Sequence, residues 1–174
     1  TSAGDALTPR WMERVLPALV APFDLPDKLA VEGLFDLPYA VPHQRFAHVA
    51  TTSGVPIGNW RSVGHSHNAF FSEGFVDELA HAAGHDPVRF RLEMLADMPR
   101  HAAVLRLATE KAGWGGVLPA GRARGVALHE SFGSIVAQVF EVSLVGRKPK
   151  LHRVACAADI AVVLWMCASF WVTT

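Results

Sequence analysis

The chain has 174 residues, enough for one sizeable core, and a formal charge of zero with a pI near 7.1. That balance offers no basic surplus for nucleic acid and no acidic run of the kind that stays disordered. Hydrophobic residues make up 51% and charged residues 18%, an apolar mixture often found where another polypeptide covers part of the surface.

The opening "TSAGDALTPRW" has no start methionine, basic n-region or apolar h-region. No secretory signal is read there, and the chain is expected to be a piece of something longer. Residues 1–58 are punctuated by Pro17, Pro22, Pro26, Pro38 and Pro42, too densely for long helices. Short extended pieces are expected instead, with "RFAHVATT" (45–52) as the best strand.

A helix is expected from "HNAFFSEGFVDELAHAAG" (67–84). Phe71, Phe75 and Leu79 recur at steps of four, and Ala69, Val76 and Ala83 widen that stripe. Glu73, Asp77, Glu78 and His81 fall largely off it. Ser66 or Asn68 is the expected cap and Gly84 the stop. "DPVRFRLEML" restarts at once, with Asp86 as N-cap and Pro87 in the first turn. A third helix opens at Pro99 and stops at Gly113. These three form a helical block over about 68–112.

"GWGGVLPAGRARG" (113–125) reads as a flexible loop, lacking the spacing of a phosphate-cradling glycine loop. Two strand-like runs follow, "SIVAQVFEVSL" (134–144) and "KLHRVACAAD" (150–159). Gly146 lies between them, so a C-terminal β-hairpin is expected over about 134–159. The fold class is therefore mixed α/β. From Ile160 to Val172 there is no charge. The run is shorter than the roughly 18 residues of a membrane span, and extending it backwards imports Asp159. A buried strand or an unnatural tail is expected there, not a membrane span. Cys156 and Cys167 form neither a CxxC pair nor a disulfide framework.

Candidate chemistry concentrates in "WRSVGHSHN" (60–68). His65 and His67 have chelating spacing on a strand, but here they fall at a turn entering a helix, with no third ligand in view. They read as polar loop residues, and no metal ligand is assigned. Gly64 permits unusual backbone geometry, and the helix behind it offers free N–H groups with a positive dipole end. Arg61 just upstream can add a two-pronged hydrogen bond to a phosphate or carboxylate. "HESFGS" (129–134) gathers His129, Glu130, Ser131 and Ser134, yet neighbours in sequence seldom converge as a triad does, and there is no GxSxG elbow.

Taken together, "WRSVGHSHNAFF" and "ALHESFGSIVAQV", within a stretch from about Asp27 to Asp159, resemble the molybdopterin-binding large subunit of the xanthine dehydrogenase and aldehyde oxidase family. The nearest branch is that of the isoquinoline 1-oxidoreductase beta subunit. The resemblance implies a molybdenum–pterin cofactor in the complete protein, an iron–sulfur small subunit as partner, and a bacterial periplasmic or cytoplasmic setting. It also implies a small aldehyde or N-heteroaromatic substrate hydroxylated with oxygen from water. By position, Arg61 matches the arginine of the loop that touches the cofactor, with Trp60 as flanking aromatic and Ser62 and Gly64 supplying backbone. Val63 stands where relatives often carry a phenylalanine against the substrate.

Two departures accompany the resemblance. The family's catalytic glutamate has no counterpart here, and Glu130 and Glu141 do not replace it, so no catalytic residue is assigned. After Asp159 the pattern is lost. Residues 1–159 are thus expected to be a fragment of the cofactor-binding domain, and 160–174 a non-homologous apolar tail, as a reading-frame shift would produce. The fragment alone is expected to be inactive. The alternatives are a non-catalytic remnant that binds a partner subunit through Phe70, Phe71 and Phe75, or a zinc module built on His65 and His67.

Overall fold

In the computed structural model, residues 28–47, 49, 60–160 and 168–170 are described. The elements are α1 (Lys28–Val31), α2 (His65–Ala82), α3 (Pro87–Met94), α4 (Pro99–Ala112), β1 (Arg122–Ser131), β2 (Ser134–Val145), β3 (Lys148–Asp159) and β4 (Ala168–Phe170). This is the expected mixed α/β class. The chain divides into two compact units, Thr1–Leu37 with Pro42–Phe71, and Pro38–Val41 with Ser72–Thr174.

Among the described residues of the first unit, α1 is tied to the start of α2 by a side chain. Asn68 Nδ2 donates to the carbonyls of Ala30 (2.9 Å) and Glu32 (2.8 Å). Asn68 is therefore no N-cap but a buried tether inside the helix. Phe35 meets Phe46 edge-on, with ring centroids 5.8 Å apart. Of the strand expected at 45–52, residues 45–47 and 49 adopt no strand, and the others lie outside the described residues.

The second unit is a helix-on-sheet sandwich. Its sheet has the order β1-β2-β3-β4, and each pairing is antiparallel. Two-residue turns close both long hairpins: Phe132-Gly133 (φ 51° and 77°), and Gly146, at φ 63°, with Arg147. Such left-handed turns match the twist of the flanking strands. The expected hairpin over 134–159 is present, with tighter ends at Val145 and Lys148. Pro149 sits at the start of β3, opposite Leu144 in the register. There its missing N–H faces away from β2 and breaks no bond of that pairing.

β1 departs from expectation. Residues 122–125 were expected to be loop, yet the strand starts at Arg122. Two arginines and a glycine obscure its alternation, but Arg122 and Arg124 both reach Glu141 across β2, at 2.8 and 3.1 Å. The apolar run after Asp159 contributes β4, whose backbone pairs with Val154, Ala155 and Cys156; residues 161–167 lie outside the described part. Among the described residues, no helix is long and apolar enough to cross a membrane.

One face of the sheet carries Val126, Leu128, Ile135, Ala137, Val139, Ala155 and Ala157, each at most 5% exposed. α4 lies on it, burying Ala102, Leu105, Ala108 and Ala112 at helical spacing. Both ends of α4 are clamped. At its start Arg100 pairs with Asp159 and His101 with Glu130, each at 2.8 Å. At its end Arg124 donates to the Gly113 carbonyl at 2.6 Å, and Arg153 reaches the carbonyls of Ala112 and Lys111. Carboxylates thus face the positive end of the helix dipole and guanidinium groups its negative end.

The expected stop and start signals hold. Gly84 and Gly113 end α2 and α4 in the left-handed region, at φ 69° and 65°. In each case the next residue's N–H reaches back five positions, His85 to Ala80 and Trp114 to Thr109, at 2.9 Å. Asp86 caps α3, accepting from Val88 N–H (3.0 Å) and Arg89 N–H (2.9 Å).

The stripe expected on α2 holds only in part: Val76 is buried and Glu78 and His81 are exposed as expected, but the aromatic members are not covered. Phe71 and Phe75 are each 59% exposed and Leu79 37%, whereas Ser72, Glu73, Val76 and Ala80 are buried. Glu73, assigned to solvent by periodicity, is buried because three donors meet its carboxylate there. That compensation fixes the rotation of the helix.

Candidate functional site

The turn that precedes α2 is built from short-range bonds. Val63 N–H reaches the Trp60 carbonyl (3.1 Å), His65 N–H the Ser62 carbonyl (2.9 Å), and Asn68 N–H the Gly64 carbonyl (3.1 Å). The Ser62 and Ser66 hydroxyls share a hydrogen bond of 2.5 Å. Ser66 is therefore an in-helix partner of Ser62, not the cap.

Within this turn the left-handed residue is Val63 (φ 48°), not the glycine that the sequence singled out. A β-branched side chain in that region is an outlier that costs on the order of 1–3 kcal/mol. Gly64 is buried instead at the helix entrance.

Trp60 is 76% exposed, and Arg61 is exposed beside it. Ser62 and Val63 are half-buried. His65 and His67 are helical, not loop residues. His65 is buried, while His67 places Nε2 3.2 Å from the Ala30 carbonyl and its ring edge-on to Phe71. Among the described residues, no three His, Cys, Asp or Glu side chains cluster as metal ligands.

A second charged constellation lies in the other unit, and periodicity missed it. Glu73 accepts from Tyr39 Oη (2.8 Å), from Arg91 Nε (3.1 Å) and from the Leu128 N–H (2.7 Å). Arg91, with its side chain fully buried, also donates to Asp77 (2.6 Å) and to the Pro87 and Glu73 carbonyls. Burial pushes the Glu73 carboxyl above the usual carboxylate range, against the opposing pull of Arg91 and the Leu128 N–H. Tyr39 is pushed well up, first by burial and then by the Glu73 charge. For Arg91, burial is the largest influence and acts downward, but Glu73, Tyr39 and Asp77 together outweigh it, so the guanidinium holds its proton more firmly than usual. A signal existed in "FRLEML": Arg91 falls on the buried side of α3, with Val88 and Leu95, and a buried arginine requires a carboxylate.

The residues of "HESFGS" do not converge as a triad. Glu130 is committed to His101, and Ser131 and Ser134 are the closing pair of a hairpin. Glu141 is equally committed. Its carboxyl is held below the usual range by the hydrogen bond from Arg122, with Arg124 adding to it.

No family model matches the chain, and no solved structure does. Two curated proteins do. The isoquinoline 1-oxidoreductase beta subunit of Brevundimonas diminuta is 32% identical over 162 residues, which is 88% of this chain and 20% of that protein. A nicotinate dehydrogenase subunit of Pseudomonas putida is 35% identical over 99 residues, 57% of this chain and 8% of that protein.

The chain is similar to part of two oxidoreductase subunits. It spans 20% of the length of the first and 8% of the second, and it matches the first across both its units.

Proposed function

We propose that this chain is a portion of the large subunit of a molybdenum hydroxylase, and that its turn at residues 60–64 contacts the molybdenum–pterin cofactor of the complete protein. The observation that carries the proposal is the 32% identity to the isoquinoline 1-oxidoreductase beta subunit over 88% of the chain. The nicotinate dehydrogenase subunit supports it with a second name of the same class, an oxidoreductase acting on a nitrogen heteroaromatic.

The donor set of the turn fits an anionic group. Arg61 presents an exposed guanidinium, Ser62 and Ser66 present hydroxyls, and all three stand at the positive end of an 18-residue helix. The turn carries Val63 in the strained left-handed region, as is common at ligand-binding sites. When bound, the cofactor supplies oxidation of an electron-poor carbon beside a heteroaromatic nitrogen or in an aldehyde. This chain's residues would bind and orient it: Arg61 by a charge-assisted pair worth roughly 1.5–3 kcal/mol, Trp60 as flanking aromatic, Ser62 and Gly64 through backbone. Val63 would border the substrate, and the iron–sulfur small subunit would take the electrons. No general base is assigned to this chain, and alone it is expected to be inactive.

The test uses the Brevundimonas subunit with its matched segment replaced by this chain, produced with molybdenum and assayed for molybdenum and pterin content. Arg61→Ala is expected to lower occupancy more than His67→Ala does. Equal occupancy in the two variants would overturn the assignment.

A second reading, a non-catalytic subunit-interaction module, is favoured by the exposure of Phe70 (75%), Phe71 and Phe75 (59% each). It predicts that the chain binds a small subunit while retaining no pterin.

A further inference from the structure

We infer that the outer face of the sheet, turned away from α4, is a docking surface. Its occupant is the polypeptide that makes up the rest of a subunit like the Brevundimonas relative. The inference rests on the reading just given.

An antiparallel sheet with one solvated face alternates apolar and polar residues, whereas strands covered on both faces read as continuous apolar runs. Positions 135–140 of β2 and 154–158 of β3 follow the second pattern, with Gln138 as the one polar member. Ile135, Ala137 and Val139 point to α4 at no more than 2% exposure. Their neighbours Val136, Phe140 and Val142 belong to the opposite face, together with Val154, Cys156 and Ala158. The register pairs Val136 with Ala158 and Phe140 with Val154, whereas Val142 lies past an irregularity, opposite Leu151. Phe140 is 38% exposed, and the other five are half-buried. Gln138 lies among them, its amide 3.8 Å from the Cys156 sulfur. No charged residue interrupts the patch among 136, 138, 140 and 142 or among 154, 156 and 158.

Such a face gains nothing from water and offers a partner little except apolar contact. The occupant is indicated by chain length. The matched region is 20% of the Brevundimonas protein, so about four fifths of that subunit has no counterpart in this chain. A layer drawn from that remainder would complete a three-layer arrangement around the sheet.

Cys156 provides the readout, because it lies on the patch and is a free thiol. The full chain carrying Cys167→Ser, which leaves one thiol, is produced together with the Brevundimonas subunit lacking its matched segment. The expected result is equimolar co-elution and maleimide labelling of Cys156 slowed by roughly tenfold or more, as at a water-excluding interface core. Phe140→Glu combined with Val154→Glu should abolish both effects with an unchanged far-UV circular dichroism spectrum. If that pair unfolds the chain, Gln138→Arg at the half-exposed centre of the patch replaces it.

Three results overturn the inference. The chain elutes alone with Cys156 fully reactive, or Cys156 is protected in a self-dimer without the partner, or the charged variants still bind. Neither readout needs molybdenum. A cofactor-free complex with a protected thiol would sustain the docking inference while removing the cofactor reading. Cofactor loading without protection would do the reverse.

Discussion

Replacing Arg91 by Met tests whether the buried ion network governs the stability of the second unit. Arg91 is fully buried and makes four hydrogen bonds: to the Glu73 carboxylate, the Asp77 carboxylate, and the Pro87 and Glu73 carbonyls. Met fills similar volume but satisfies none of them. Asp77 can turn to water, since its side chain is 44% exposed, whereas Glu73, at 6%, cannot. Removing one partner of a buried pair costs about 3–5 kcal/mol, a large part of a typical domain's roughly 5–15 kcal/mol.

The pH dependence follows from Glu73. Its folded-state carboxyl already lies above the unfolded value. A raised carboxyl contributes stability that is fully present below the unfolded value and lost as pH rises through the folded one. Without Arg91 the carboxyl rises further, because the guanidinium is the largest influence pulling it down. The variant therefore loses more stability than the parent as pH increases. Urea unfolding, followed by circular dichroism, is expected to show a gap of about 3–5 kcal/mol near pH 7.5 and a clearly smaller one near pH 4. A gap under about 1 kcal/mol at the higher pH, or one that widens on acidification, would refute this account.

Asp86→Ala removes both the cap of α3 and the acceptor of the Trp114 indole N–H at 2.9 Å. The expected cost is about 1–2 kcal/mol in thermal or urea unfolding, with a change in tryptophan fluorescence. Glu141→Gln removes the partner of Arg122 and Arg124. The native carboxyl is depressed, so its contribution is present above the unfolded value and lost as pH falls through the folded one. Parent and variant should differ by about 1 kcal/mol at pH 7, and their unfolding curves should converge in acid. Val63→Gly relieves a left-handed β-branched residue and is expected to raise stability by roughly 0.5–1 kcal/mol in a thermal melt.

What could be read from residue order was mostly local. Asp86 with Pro87, and the glycines at 84 and 113, announce helix ends because capping depends on backbone geometry within a few residues. The hairpin of β2 and β3 was legible because Gly146 separates two apolar runs. Facing was not. Phe71, Phe75 and Leu79 are the strongest apolar signal on α2, yet they face outward. The rotation is set by Glu73, whose partners lie 34, 18 and 55 residues away. β1 was hidden for a related reason, since its arginines gain their meaning from Glu141 on the next strand. At the turn before α2, the sequence identified Gly64 as the unusual residue, but the unusual backbone falls one position earlier, at Val63.

The Glu73 carboxylate also bears on association. Ser131 and Ser134 close the first hairpin, so the even-numbered residues of β1 direct their N–H groups away from β2. Leu128 is one of them, and its outward N–H is taken by Glu73. An invading strand that tried to extend the sheet past β1 would have to displace a buried anion at the middle of its register. The β1 edge of the sheet is thereby guarded against edge-to-edge aggregation by a side chain from a helix, with neither a proline nor a bulge on the strand itself.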